Sequence, residues 1–236
     1  MRLDKYLREM NLGTRSEVKE LIKKGQVTVN GQVVKKPEIA IIPNVDQVFY
    51  QGNLIEYEKY LYYLLHKPQG VVSATKDNVY PTVLDLLEVP RQEELFPVGR
   101  LDVDTEGLLL LTNDGELAHA LLSPKKHVSK VYLATIDGIL GEREIKLFAR
   151  GMDLDDFITK PAKLLVKEYQ EKNTLVEVTI EEGKFHQIKR MFHYVGRNVL
   201  TLKRIKMGLL ELPEELPCGA YIKLTKEEVV QGIVKK

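Results

Sequence analysis

The chain has no tryptophan and a single cysteine, Cys218, among its 236 residues. One thiol excludes an internal disulfide and any metal site built from several thiolates, and Cys218 reads as a quiet structural residue. Long hydrophobic runs are missing too, and nothing approaches the roughly 20 apolar residues of a membrane-spanning helix. The opening Met1-Arg2-Leu3-Asp4-Lys5 is charged and lacks the apolar stretch of a signal peptide, so a cytoplasmic protein with no membrane partner is expected. Nor is one sign of charge in surplus: 35 Lys and Arg nearly cancel 34 Asp and Glu, so net charge alone points to no polyanion. What remains is an ordinary globular composition, 44% hydrophobic and 29% charged, sufficient for one large domain or a small and a medium one.

Charge is unevenly distributed. Residues 1–36 hold nine Lys or Arg against four acids. Leu3, Tyr6, Leu7 and Met10 recur at helical spacing, and Thr14-x-x-Glu17 is a capping box for a second helix with Val18, Leu21 and Ile22 on its apolar face. Asn30-Gly31, between Val27/Val29 and Val33/Val34, signals a two-residue hairpin. A merely solvated basic face would account for the charge. The order Arg-Leu-Asp-Lys-Tyr-Leu, Thr-Arg-Ser-Glu, Gly-Gln-Val-Thr-Val-Asn-Gly, however, resembles the small RNA-binding domain named for ribosomal protein S-four. The resemblance implies an α/β module over 1–58, with 52–59 as linker, in which Arg2, Lys5, Arg15, Lys19 and Lys23 contact phosphates. Such contacts position an RNA without reading its sequence.

From 59 to 236 short strands and helices alternate without a regular strand–helix repeat, which predicts an α+β domain with a mainly antiparallel mixed sheet. Strands are expected at 60–65, 108–112, 130–135, 164–167, 174–180, 199–207 and 221–224. Helices are expected at 82–87, 116–122, 141–149, 185–195 and 226–234. In the 185–195 helix, Phe185, Ile188, Phe192 and Val195 should face the core, with His186, Lys189, Arg190, His193 and Arg197 on the adjoining face. Residues 184–206 contain seven Lys or Arg and no acid. In a nearly neutral protein this is the electrostatic footprint of a nucleic acid; its plainer use would be to neutralise acids elsewhere.

The densest chemistry lies at Gly99-Arg100-Leu101-Asp102-Val103-Asp104-Thr105-Glu106-Gly107, which runs into four leucines and then Asn113-Asp114-Gly115. The leucines suit a strand buried on both faces, and Asn-Asp-Gly a turn. Asp102-x-Asp104-x-Glu106 imitates a calcium loop, but Asn113 stands where the bidentate Glu belongs, so no metal is expected. A glycosidase-like carboxylate pair is chemically open, although a sugar site would usually include a stacking Trp. A lone carboxylate nucleophile beside the basic patch is a third reading, and from the residues alone a capped, salt-bridged turn explains them better than any of the three.

Gly-Arg-Leu-Asp-x-x-Thr-x-Gly-Leu-Leu-Leu-Leu-Thr-Asn-Asp-Gly closely resembles the signature loop of pseudouridine synthases of the RsuA branch. His66-Lys67-Pro68-Gln69-Gly70, Lys130-Val131-Tyr132 and Glu182-Gly183-Lys184-Phe185-His186-Gln187-Ile188-Lys189-Arg190-Met191-Phe192 continue the match. The resemblance implies a cofactor-free enzyme that turns a uridine of folded RNA into its C-glycoside isomer. It makes Asp102 the nucleophile, Tyr132 the ring stacked on the target base and a candidate for proton removal, and Arg100 a holder of the loop or of the vacated place in the RNA. Lys189 falls where the family's basic partner of the aspartate stands, often Arg in related families; lysine keeps the point charge and loses the bidentate fork. Lys184, His186, Gln187, Arg190 and Arg197 become RNA contacts, while Asp104 and Glu106 receive no role. Thr159-Lys160-Pro161-Ala162 looks most like the small-subunit branch, whose target is a single uridine, 516 in the usual 16S rRNA numbering, in free rRNA or within an assembling subunit. A sister enzyme acting on 23S rRNA, and a non-catalytic RNA-binding assembly factor, are the alternatives.

Overall fold

The computed structural model describes residues 1–123 and 128–233. The chain divides into two compact units: Met1–Lys59 with Glu88–Gln92, and Tyr60–Leu87 with the chain from Glu93 on.

In the first unit, helices α1 (Leu3–Glu9) and α2 (Arg15–Lys23) precede strands β1 (Val27–Val29), β2 (Gln32–Val33), β3 (Val48–Tyr50) and β4 (Asn53–Ile55). The strands form an antiparallel sheet of order β2-β1-β3-β4. Thr14 N donates to Glu17 Oε2 at 2.7 Å and Glu17 N to Thr14 Oγ1 at 3.4 Å, closing the capping box. Asn30 and Gly31 take φ of 51° and 79°, as the favoured hairpin turn requires. Leu3, Tyr6 and Leu7 pack with Val18, Ile22, Val27 and Val48 into one buried core. The stretch 52–59 is not the linker expected: it supplies β4, and Tyr57 stacks on Tyr6 at 5.4 Å and donates to Glu9 Oε2 at 2.9 Å. Arg91 donates to the Glu58 and Lys59 carbonyls at 2.6 and 3.2 Å, drawing 88–92 into this unit rather than the larger domain.

The second unit contains β5 (Tyr62–Lys67), β6 (Phe96–Pro97), β7 (Glu106–Thr112), α3 (Gly115–Leu122), β8 (Lys130–Asp137), α4 (Glu142–Arg150), β9 (Lys163–Tyr169), β10 (Asn173–Ile180), α5 (Gln187–Tyr194), β11 (Val199–Met207), β12 (Leu210–Glu211), β13 (Tyr221–Leu224) and α6 (Lys226–Ile233). The sheet order is β13-β5-β7-β11-β8-β10-β9, with β6 on β7 and β12 on β11. Among the described pairings of this sheet, β7 with β11 is the parallel one and the rest are antiparallel, an α+β architecture as expected. Leu108, Leu109, Leu110 and Leu111 are all fully buried, so β7 is covered on both faces. At its start Gly107 has φ 111°, and a Cβ there would overlap the Arg204 backbone of β11. Only glycine permits this approach. Arg204, itself buried, donates from Nε to the Leu108 carbonyl at 2.8 Å.

Two expectations are corrected. Residues 82–87 are not helical, because the Thr82 amide and hydroxyl both donate to Asp85 Oδ2, at 2.7 and 2.9 Å, and Thr82 bridges to Val72. Phe185 does not face the core: it is 74% exposed, since His186 takes a left-handed φ of 49° and α5 starts only at Gln187. Ile188, Met191 and Phe192 form the buried face, with Phe192 against Phe148 of α4 at 4.8 Å. Val234, expected to end the last helix, lies outside the described residues.

Candidate active site

The loop between β6 and β7 is fastened by the last residue of β5 and the segment that follows it. Lys67, fully buried, spreads its ammonium over three carbonyls: Pro68 at 2.9 Å, Asp102 at 3.0 Å and Thr105 at 2.8 Å. Gly70 N donates to the Val103 carbonyl at 2.7 Å. Ser73 Oγ donates to the Leu101 carbonyl at 2.9 Å and accepts from Leu101 N at 3.0 Å. A bond from Thr105 N to the Asp102 carbonyl, 3.1 Å, closes the turn. The backbone of the loop is thus held at Leu101, Asp102, Val103 and Thr105, which leaves the Asp102 side chain little freedom except at χ1 and χ2. Burial pulls the Lys67 pKa down to about 8, with Asp102 and Asp104 nearby opposing the shift.

The sequence motif includes Lys67 but gave it no role. Its partners are backbone carbonyls up to 38 residues away, which no local pattern encodes.

The first turn of α5 brings the counter-charge. Lys189 Nζ lies 2.9 Å from Asp102 Oδ2 and 2.5 Å from Asp104 Oδ1, so one ammonium bridges both carboxylates. His186 Nε2 stands 3.6 Å from Asp102 Oδ1. Burial works against the Lys189 ammonium, but its hydrogen bonds to Asp104 and Asp102 outweigh it and hold the pKa above that of an ordinary lysine. Burial likewise opposes ionisation of Asp104, and the Lys189 bond reverses that and lowers its pKa. Asp104, without a role in the sequence reading, is the second arm of the charge cluster. Glu106 does not join it; it begins β7, paired with Lys203 of β11 in register.

Asp102 and Tyr132 line one small cavity of about 70 Å³, with Arg100, Thr105, Ile188 and Lys189 among its walls. Tyr132 comes from β8, 8% exposed, opposite Arg204 of β11 in the ladder. Arg100 is exposed. A wider hollow of about 460 Å³ adjoins at His186 and Lys189 and continues along α5 to His193, Tyr194 and Arg197. Among the described residues, no group of three His, Cys, Asp or Glu is arranged to hold a metal ion, and no helix is long and apolar enough to cross a membrane.

Not every expected RNA contact is placed for it. Lys184 is exposed and His186 partly so. Gln187 is buried, its amide donating to Glu182 Oε1 at 2.7 Å and accepting from Lys184 N at 3.0 Å, so it shapes the entry to α5. Arg190 is tied to Asp156 and to the Leu154 carbonyl, and lies over the Phe157 ring at 5.1 Å. Arg197 donates to the Ile139 carbonyl at 3.0 Å. In the first unit, Arg2, Lys5 and Arg15 line one hollow of about 340 Å³ together with Arg8 and Asp4. Arg2 is paired with Asp4 at 2.8 Å, whereas Lys23 is not among the lining residues and pairs with Glu20 at 3.1 Å. Lys19 is not among the lining residues.

Residues 61–194 match the family model described as RNA pseudouridylate synthase, and residues 1–41 match the S4 domain. The chain is 44% identical over 231 residues to an uncharacterized RNA pseudouridine synthase of Bacillus subtilis, covering 97% of each. It is 39% identical over 236 residues to the ribosomal small subunit pseudouridine synthase A of Escherichia coli, covering 99% of this chain and all of that one. A crystal structure of a pseudouridylate synthase superposes with a TM-score of 0.68 at 38% identity, over 99% of this chain and 100% of that chain. A family match over more than half the chain, and relatives this similar over nearly their full length, agree with the loop and the fold: the chain belongs to the RNA pseudouridylate synthases, in their RsuA-type branch.

Proposed function

We propose that this enzyme isomerises one uridine of 16S small-subunit rRNA, expected at position 516, using Asp102 as nucleophile on a nucleotide flipped out of its stack. The observation that carries the mechanism is the 2.9 Å pair of Lys189 with Asp102 on the wall of a cavity shared with Tyr132. The target rests on the 39% full-length identity to the Escherichia coli protein named for the ribosomal small subunit.

Lys189 donates a charge-assisted hydrogen bond to Oδ2 of the Asp102 carboxylate and orients it in a partly buried place. Asp102 then attacks C1′ of the ribose or C6 of the uracil, or assists elimination. Each route breaks the N1–C1′ bond and leaves the electron pair on the base. The uracil turns so that C5 faces C1′, the C5–C1′ bond forms as the bond to Asp102 is released (or, on the elimination route, as the sugar regains its proton), and the C5 proton is lost while N1 gains one, so no atom is added overall and the carboxylate is regenerated. Tyr132 offers the detached base a π-face worth about 1–3 kcal/mol. Extruding the nucleotide costs a few kcal/mol, which phosphate contacts at Lys5, Arg8 and Arg15 in the first unit and at Lys184 and His186 beside α5 offset. Arg100 is the side chain to enter the place the uridine leaves. No cofactor takes part, and a ribosomal substrate puts the reaction in the cytoplasm.

The test is pseudouridine mapping of both large rRNAs in a strain lacking the protein, complemented with wild type or with Asp102→Asn. One 16S site should vanish, return with wild type and stay absent with the variant, whose RNA affinity is unchanged. Loss confined to 23S rRNA would overturn the target, and restoration by Asp102→Asn would overturn the nucleophile.

A further inference from the structure

Four buried side-chain polar atoms lack a hydrogen-bond partner among the described residues: Gln26 Oε1, His66 Nε2, Arg204 Nη2 and Thr105 Oγ1. Of these residues only Thr105 lines the cavity that holds Asp102 and Tyr132. It is 2% exposed. Its backbone is fixed from both sides, by Thr105 N on the Asp102 carbonyl and by Lys67 Nζ on the Thr105 carbonyl. Neither neighbouring carboxylate bonds the hydroxyl; Asp102 Oδ2 and Asp104 Oδ1 each accept from Lys189.

A buried hydroxyl without a partner costs on the order of 1–3 kcal/mol, and valine would fill the same space at no such cost. The placement is therefore best explained by a partner that arrives with the substrate. Thr105 shares that cavity with Asp102, so on the reading of Asp102 as nucleophile the glycosidic bond to be broken is brought to the same walls. The atoms flanking that bond are the ribose 2′-hydroxyl and the uracil O2. A threonine hydroxyl both donates and accepts, so it suits either oxygen, and donation to O2 would strengthen as the departing base takes on negative charge.

We infer that Thr105 contacts the substrate, its hydroxyl hydrogen-bonding an oxygen of the target nucleotide next to the glycosidic bond. This rests on the reading of the cavity as the uridine site. The experiment compares wild type, Thr105→Val and Thr105→Ser on an rRNA in which the wild-type protein forms pseudouridine. The target carries uridine, 2′-deoxyuridine or 2-thiouridine, and Asp102→Asn serves as control. Thr105→Val should lower kcat/KM on uridine by about 10-fold or more, Thr105→Ser should restore most of it, and thermal stability should not fall. The Val penalty should shrink to about twofold or less on the one analogue that has lost the partner oxygen, which identifies it. An equal Val penalty on all three targets, or no penalty on uridine, would overturn the contact. An active Asp102→Asn would overturn the uridine site itself and the contact with it.

Discussion

Lys189 serves two carboxylates with one charge, and the two arms are unequal. Asp102 is the partly buried arm and lines the cavity, whereas the Asp104 side chain is 63% exposed. Lys189→Met leaves Asp102 without its cation and should cut single-turnover isomerisation by about 100-fold. Asp104→Asn loses only a solvent-screened arm and should cost less than about 10-fold; equal losses would mean that Asp104 shares the chemistry. Lys67 makes a second prediction, with opposite signs for stability and activity. Its folded pKa of about 8 lies below the roughly 10.4 of an unfolded lysine. Between these values the unfolded chain holds a proton that the folded one has released, so this group's contribution to stability is present above the upper value and lost as pH falls through about 8. The neutral amine, however, has two N–H groups for three carbonyls, and the clamp on the Asp102 turn loses a bond as pH rises. A pH–rate profile should therefore descend above about pH 8 while the Lys67 contribution to Tm rises. A flat profile from pH 7 to 9.5 would remove Lys67 from the control of the loop.

At the scale of the element, the parallel contact of β7 with β11 carries the loop, and it depends on a missing side chain. Gly107→Ala forces a methyl into the Arg204 backbone at a positive φ. It should cost about 3 kcal/mol or more by denaturant unfolding, and an effect below about 1 kcal/mol would show that the strands part easily. What was legible in the sequence was short in range. The capping box at Thr14, the Asn30-Gly31 turn and the four leucines are each encoded within a few residues, and each appears where it was read. Phe185 departs from the expected core position because helical spacing does not mark where a helix starts, and the left-handed His186 sets that start at Gln187. The strands β3 and β4 leave little trace in the sequence because each has three residues and a partly exposed face. Lys67 and Thr105 were unreadable for a different reason. One acts through distant carbonyls, and the significance of the other lies in a bond that its surroundings do not supply.

For the whole molecule, a net charge of +1 would suggest indifference to RNA, yet each unit gathers cations locally. The hollow of the first unit sets four basic residues against one acid. If it holds phosphates, removing one cation should reduce the slope of log affinity against log salt by about 0.7–0.9. Lys5→Ala and Arg15→Ala in the full-length protein should show that change, with KM raised and kcat unaltered. An unchanged slope would mean that this face is only solvated. The ion pair of Asp102 and Lys189 is assembled from distant parts of the chain. Asp102 and Lys189 stand 87 residues apart, and Arg204 reaches back 96 residues to Leu108. Closing such long loops is among the slower steps of folding. A chain synthesised only as far as α4 already has Asp102, Tyr132 and the Lys67 segment, but neither the cation nor the strand that braces the loop. If Asp102 and Lys189 are the reactive pair, catalytic competence comes late in folding, and a first unit that binds phosphates would let a nascent chain hold RNA well before it can alter a base.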